Sequence, residues 1–122
     1  MKTMKIKIKS RADFDAELRS MAKALDDGRR VKKQDGFYFE SIDAVRKVLT
    51  DNRLRVWRTV RDKKPKSISE LARLLHRDFR VVHGDVSLLV EVGLIKLKKG
   101  KGNRGDTQIP ISRADKIVLA VA

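Results

Sequence analysis

Apolar and polar positions alternate with period two at the start of the chain and then change to a helical period. Met4, Ile6 and Ile8 alternate with Lys5, Lys7 and Lys9, the pattern of a half-buried strand. From Ser10 to Asp27, Phe14, Leu18, Met21, Ala22 and Leu25 share one helical face, and Gly28 is placed to end the helix. Arg29 to Gly36 is polar and reads as a loop, and Gly36-Phe-Tyr-Phe-Glu40 reads as a short extended segment. Ser41 is then an N-cap, and Ile42, Val45, Val48 and Leu49 form the stripe of a short helix.

From Thr50 onward the pattern predicts three helices and a hairpin. Thr50 caps a helix with Leu54, Trp57 and Val60 facing inward, and Pro65 follows its end. Ser67-Ile-Ser-Glu70 is a capping box, in which hydroxyl and carboxylate satisfy opposite backbone donors. It opens a helix that packs through Ile68, Leu71, Ala72 and Leu75. His76-Arg77 makes a tight turn, and Asp78 caps the next helix, whose stripe is Val82, Val86, Leu89 and Val92. Gly93 ends that helix. Leu94 to Lys98 and Thr107 to Ile111 read as two strands around a glycine-rich loop, and Pro110 suits an edge strand. Lys116 to Val121 is a candidate last strand.

In a helix-turn-helix the second helix enters the major groove and its early residues meet base edges. Arg80, Val81, His83, Gly84 and Ser87, off the apolar stripe, are therefore the candidate recognition residues. Arg pairs with guanine, Ser and His bond to bases or phosphates, and a Val methyl meets thymine. A glycine in mid-helix costs about 1 kcal/mol against alanine, so a close backbone approach at Gly84 is one reason for it. Ser67, Ser69 and Arg77 are candidate contacts at the start of the motif. The hairpin tip holds Lys98, Lys99, Lys101, Asn103 and Arg104, and no acid lies between Val92 and Gly105. A cationic tip beside a recognition helix is what a wing needs to touch phosphates or the minor groove.

Charge strengthens this reading. Thirty Lys and Arg against sixteen Asp and Glu give +14 over 122 residues, a balance that attracts a polyanion. Residues 1–40 hold eleven bases and seven acids, whereas residues 41–122 hold nineteen and nine, so the polyanion site belongs to the second part. A 41% hydrophobic share is enough for a core, filled by aliphatic side chains because aromatics are only 5%. The absence of cysteine removes disulfides, zinc-thiolate sites and thiol catalysis. His76-x-Asp78 and His83-x-Asp85 are too sparse for a metal site, no nucleophile has a paired base, and the glycines match no phosphate loop. Neither enzyme activity nor a cofactor is expected. No apolar run reaches a membrane span, the first ten residues lack the apolar stretch of a signal peptide, and the stacking platforms of RNA binders are missing. The expected location is the cytoplasm, on a prokaryotic nucleoid.

Ser67-Ile-Ser-Glu-Leu-Ala-Arg-Leu-Leu, Val82 to Glu91 and Val-Gly-Leu-Ile95 together resemble the MarR- and ArsR-like winged-helix pattern. A closer likeness is to a family of small prokaryotic DNA-binding regulators. Its motifs are similar to Phe39-Glu-Ser-Ile-Asp-Ala-Val-Arg-Lys-Val-Leu-Thr-Asp-Asn-Arg-Leu54 and Val82-His-Gly-Asp-Val-Ser-Leu-Leu-Val-Glu-Val-Gly-Leu-Ile95. The likeness spans roughly residues 37–111 and implies DNA binding and regulation. This chain departs from the pattern at His76, where the turn usually has glycine, and at Gly84, where a polar residue is usual.

The expected fold is α+β: a winged helix-turn-helix over residues 41–122 with an N-terminal strand–helix–strand extension over 1–40. The expected function is sequence-specific binding of double-stranded DNA by a transcriptional repressor or autoregulator. A homodimer is expected because palindromic operators pair with two-fold symmetry, with the edge of the first strand as the favoured contact. The alternative is an antitoxin-type interaction protein, whose residues 1–40 bind a cognate toxin or other small protein.

Overall fold

The longest local signals build the core. The computed structural model describes residues 2–28, 37–102 and 105–121. Within them lie ten elements: β1 (Thr3–Ile8), α1 (Arg11–Asp26), β2 (Phe37–Phe39), α2 (Ile42–Val48), α3 (Asp51–Lys63), α4 (Ile68–Leu75), α5 (Phe79–Glu91), β3 (Ile95–Gly102), β4 (Gly105–Ser112) and β5 (Lys116–Val121). The class is α+β, with five helices and two small sheets among the described residues.

Helices α3, α4 and α5 bury one shared face. Val56, Trp57 and Val60 meet Ile68, Leu71 and Leu75 and the α5 stripe of Val82, Val86 and Leu89. Each helix starts at its predicted cap: the Thr50, Ser67 and Asp78 side chains accept backbone N–H groups from Arg53, Glu70 and Arg80. The capping box departs from expectation in one respect. The Glu70 carboxylate accepts from the N–H of Lys66, one residue before the cap, and not from Ser67. The antiparallel hairpin β3–β4 pairs Lys98 with Ile109 and Leu97 with Pro110 and closes over this unit. The Trp57 indole N–H donates to the Ser112 hydroxyl at 3.0 Å, fastening α3 to the end of β4.

The second sheet draws on both ends of the chain. Its order is β2-β1-β5 and both pairings are parallel, with Ile6 opposite Phe37 on one side and Leu119 on the other. The edge of β1 expected to pair with another chain is therefore occupied, and the free edges belong to β2 and β5. Met4, Phe37, Phe39 and Ile117 pack from this sheet onto the helical core, while Ile6 and Ile8 form a small cluster with Val45 of α2. Gly93, at φ +80°, brings the α5–β3 junction against β1, and a Cβ there would stand 3.4 Å from the Met4 methyl.

Two apolar stripes are less buried than their pattern implies. Ile42 is exposed on α2. Helix α1 buries no residue: Phe14 makes an edge contact with Tyr38 at 5.6 Å and Lys9 pairs with Glu17, but Phe14, Leu18 and Leu25 stay exposed. The helix lies on the Tyr38 side of the sheet, where Lys7 and Lys9 also stand over the Tyr38 ring. Amphipathic spacing marks a face that can be buried; here the cover over that face is thin.

Candidate nucleic-acid interface

The turn between α4 and α5 sets the geometry of the site. His76 takes the left-handed conformation (φ 53°, ψ 44°) that explains why glycine is usual there. Its N–H bonds to the Arg73 carbonyl at 3.2 Å, and the Arg77 N–H bonds to that of Ala72 at 3.1 Å. The chain thus reverses within two residues, and Asp78 restarts it as α5.

With Val82, Val86 and Leu89 fully buried, the opposite side of α5 is fixed in solvent. At 100° per residue, Arg80, His83, Gly84 and Ser87 fall within one arc of about 100°, and all are exposed; Phe79, also exposed, stands at the first turn on the flank of the buried stripe, next to His83. Four of the five predicted recognition residues are thus brought together. Val81 is also exposed, but it stands on the opposite shoulder, outside that arc. Among the described residues nothing lies within 4 Å of where a Cβ on Gly84 would be, so none of them demands glycine there.

A cleft of about 420 Å³ runs between this helix and the hairpin. Ser67 and Ser69 border it from the start of α4, and Phe79 and His83 from α5. Lys99, Thr107 and Gln108 close it from the hairpin. Among the described residues, none that lines it is acidic. The first N–H groups of α4 lack helical partners, and the helix dipole adds positive potential at that end. Strand alternation puts Lys99 on the cleft side with Leu97, and Lys98, also exposed, on the opposite face of the hairpin. The backbone of Lys101 belongs to β3, opposite Asp106. Asn103 and Arg104 lie outside the described residues.

Arg77 does not point freely outward. Its guanidinium donates to Asp85 Oδ2 at 3.1 Å, while Arg53 Nε donates to Oδ1 of the same carboxylate at 3.2 Å. Arg53 also donates to the carbonyls of Lys47 and Val48. One carboxylate on α5 thus ties that helix to α3, to the end of α2 and to the turn before it. Composition and periodicity do not reveal this bridge, since its members are 32 and 8 residues apart. A signal was present nonetheless: Arg53 and Asp85 both lie within the two motifs quoted above. Phe79 is the other residue that sequence reasoning passed over: its spacing continues the core stripe at the first turn, yet the ring stays exposed.

Among the described residues, no helix is long and apolar enough to cross a membrane. No curated protein and no solved structure matches the chain. A family model does, over residues 48–119, from the last residue of α2 through the three helices and the hairpin into β5. That stretch is more than half the chain and contains every candidate contact described above, and by it the protein belongs to the HVO_A0114 family.

Proposed function

We propose that this protein is a sequence-specific, double-stranded DNA-binding transcriptional regulator of winged helix-turn-helix form. Helices α4 and α5 are the helix pair in this reading, and the β3–β4 hairpin is the wing. The observation that carries it is the cleft, with no acid among its described lining residues, onto which the start of α4, the start of α5 and Lys99 converge. A DNA strand running through that cleft places a phosphate near the α4 N-terminus, Ser67, Ser69 and Lys99. The outward arc of α5 then lies along the major groove, where Arg80 and His83 reach base edges. Bound over a promoter, such a protein acts as a repressor or autoregulator, on the nucleoid in the cytoplasm.

The test is an anisotropy titration of labelled duplex DNA over a salt series. Log affinity falls against log salt with slope near −0.9Z, with Z on the order of 4–8. A flat salt response, or no binding at low salt, refutes the proposal.

A protein partner accompanies the DNA in this reading. Phe14, Leu18 and Leu25 of α1 leave an apolar face exposed, and a homodimer covers it in the form we favour. The antitoxin reading assigns the same face to a foreign protein. Sedimentation of the purified chain separates them: a dimer supports the first, and a monomer that copurifies with a small protein supports the second.

A further inference from the structure

Phe79, the first residue of α5, is 47% exposed and stands between two clefts. One is the cleft toward the hairpin, with His83 and Lys99. The other, about 640 Å³, opens toward the turn and is bordered by Arg73, His76 and Arg77. The Phe79 ring lies 5.7 Å from that of His83, tilted by 38°. The core does not need this ring, because Val82, Val86 and Leu89 are fully buried without it. Farther round the helix, Gly84 offers bare backbone with open space beyond. The first turn of α5 therefore sets an apolar ring beside His83, with Arg80 and Gly84 on the adjoining outward arc, and basic side chains border the clefts on both sides of the ring.

We infer that Phe79 reads the C5-methyl group of thymine in the major groove, an inference that rests on the DNA-binding proposal. The floor of the major groove offers hydrogen-bonding edges and one apolar group, the thymine methyl. A phenyl ring placed over a bare donor or acceptor strips it of water without replacing the bond. Placed over a methyl, both apolar surfaces leave water together. Apolar wedges that insert between base steps work from the minor groove, whereas Phe79 opens the helix whose early residues meet base edges in the major groove. The cationic clefts on either side hold backbone phosphates and centre the ring over the bases. Specificity at this position is thus a contact between apolar surfaces, beside the hydrogen-bonding residues Arg80 and His83.

The test uses the full chain and thymine-to-uracil replacement, which removes that methyl and keeps the pairing and the charge. Duplexes selected by the protein from a random-sequence pool are remade with deoxyuridine in place of thymidine. The expected result is about fourfold weaker binding of uracil DNA for each methyl covered. Phe79→Ala binds both versions equally and keeps its salt dependence, and an unchanged melting temperature shows that its fold is intact. Equal wild-type affinity for thymine and uracil DNA overturns the inference and leaves DNA binding standing. Undiminished discrimination by Phe79→Ala also overturns it, since another residue then reads the methyl. Absence of binding to either DNA at low salt removes the DNA-binding proposal, and the inference with it.

Discussion

Asp85→Ala removes the carboxylate that Arg53 and Arg77 share. The Asp85 side chain is 12% exposed, and the two arginine side chains are 25% and 23% exposed. The site therefore lies between the surface regime, where a pair contributes about 0–1 kcal/mol, and the buried regime, where breaking one costs about 3–5 kcal/mol. The two arginines lose unequally. Arg53 keeps the Lys47 and Val48 carbonyls at 2.8 and 3.0 Å, whereas Arg77 loses the one acceptor that its guanidinium has among the described residues. A hydrogen bond to a charged group is worth about 1.5–3 kcal/mol, so the expected loss is about 2 kcal/mol, most of it from Arg77. Urea unfolding followed by circular dichroism reads this as a midpoint lowered by about 1 M at unchanged slope, for a slope of about 2 kcal/mol/M. In a double-mutant cycle Arg77→Ala couples to Asp85→Ala by about 1–2 kcal/mol, and Arg53→Ala couples less. A loss below about 0.5 kcal/mol, or zero coupling to Arg77, refutes the view that this bridge positions α5.

Gly84→Ala raises stability by about 1 kcal/mol, because the new methyl meets nothing within 4 Å; the same variant weakens DNA binding if the helix backbone approaches the groove closely. Trp57→Phe costs about 1 kcal/mol, the net worth of the lost bond to Ser112, read as a lower melting temperature. The hydrogen bond from Arg61 holds the Asp62 carboxyl below its ordinary value of 3.8. Ionised Asp62 therefore stabilises the fold above that pH and ceases to as pH falls through the lowered value; wild type and Asp62→Asn differ in unfolding midpoint at neutral pH and converge in acid. Lys99→Ala weakens binding to all DNA sequences about equally, as a phosphate contact does, whereas Arg80→Ala loses about 1–3 kcal/mol on the preferred site and relaxes its sequence preference.

What could be read from the chain was local. Ser67 and the stripe of Ile68, Leu71 and Leu75 lie within one short stretch, so cap and packing face are both visible in the sequence. The same holds for Asp78 with Val82, Val86 and Leu89. The parallel pairing of β1 with β5 was not legible, since nothing within residues 3–8 names residues 116–121 as neighbours. The Arg53–Asp85–Arg77 bridge was hidden because charged residues on three elements look alike until the fold selects which ones meet. Phe79 was passed over for the opposite reason: three residues before Val82 it reads as one more core position, and its exposure follows from its place at the helix end. The uncovered face of α1 shows the limit of the amphipathic signal, which gives the direction a helix wants to bury but not whether anything is there to receive it.

The sheet that joins the two ends also bears on how the chain reaches this structure. Pairing Lys98 with Ile109 closes a short loop, while joining Lys2 to Asp115 spans 113 residues, about ten times as many. On loop length alone the longer closure costs about 2 kcal/mol more conformational entropy, and contacts so distant in sequence form slowly. The helices and hairpin therefore assemble first and act as the template on which β1 and β5 meet. By the same reasoning this sheet is the first part to open in the native state, ahead of the three-helix core. Because β1 lies between the other two strands, anything that grips β5 also holds β1 in place, and the reverse is true. The two ends of the chain thus share one local stability, coupled to that of the helices through Met4, Phe37, Phe39 and Ile117.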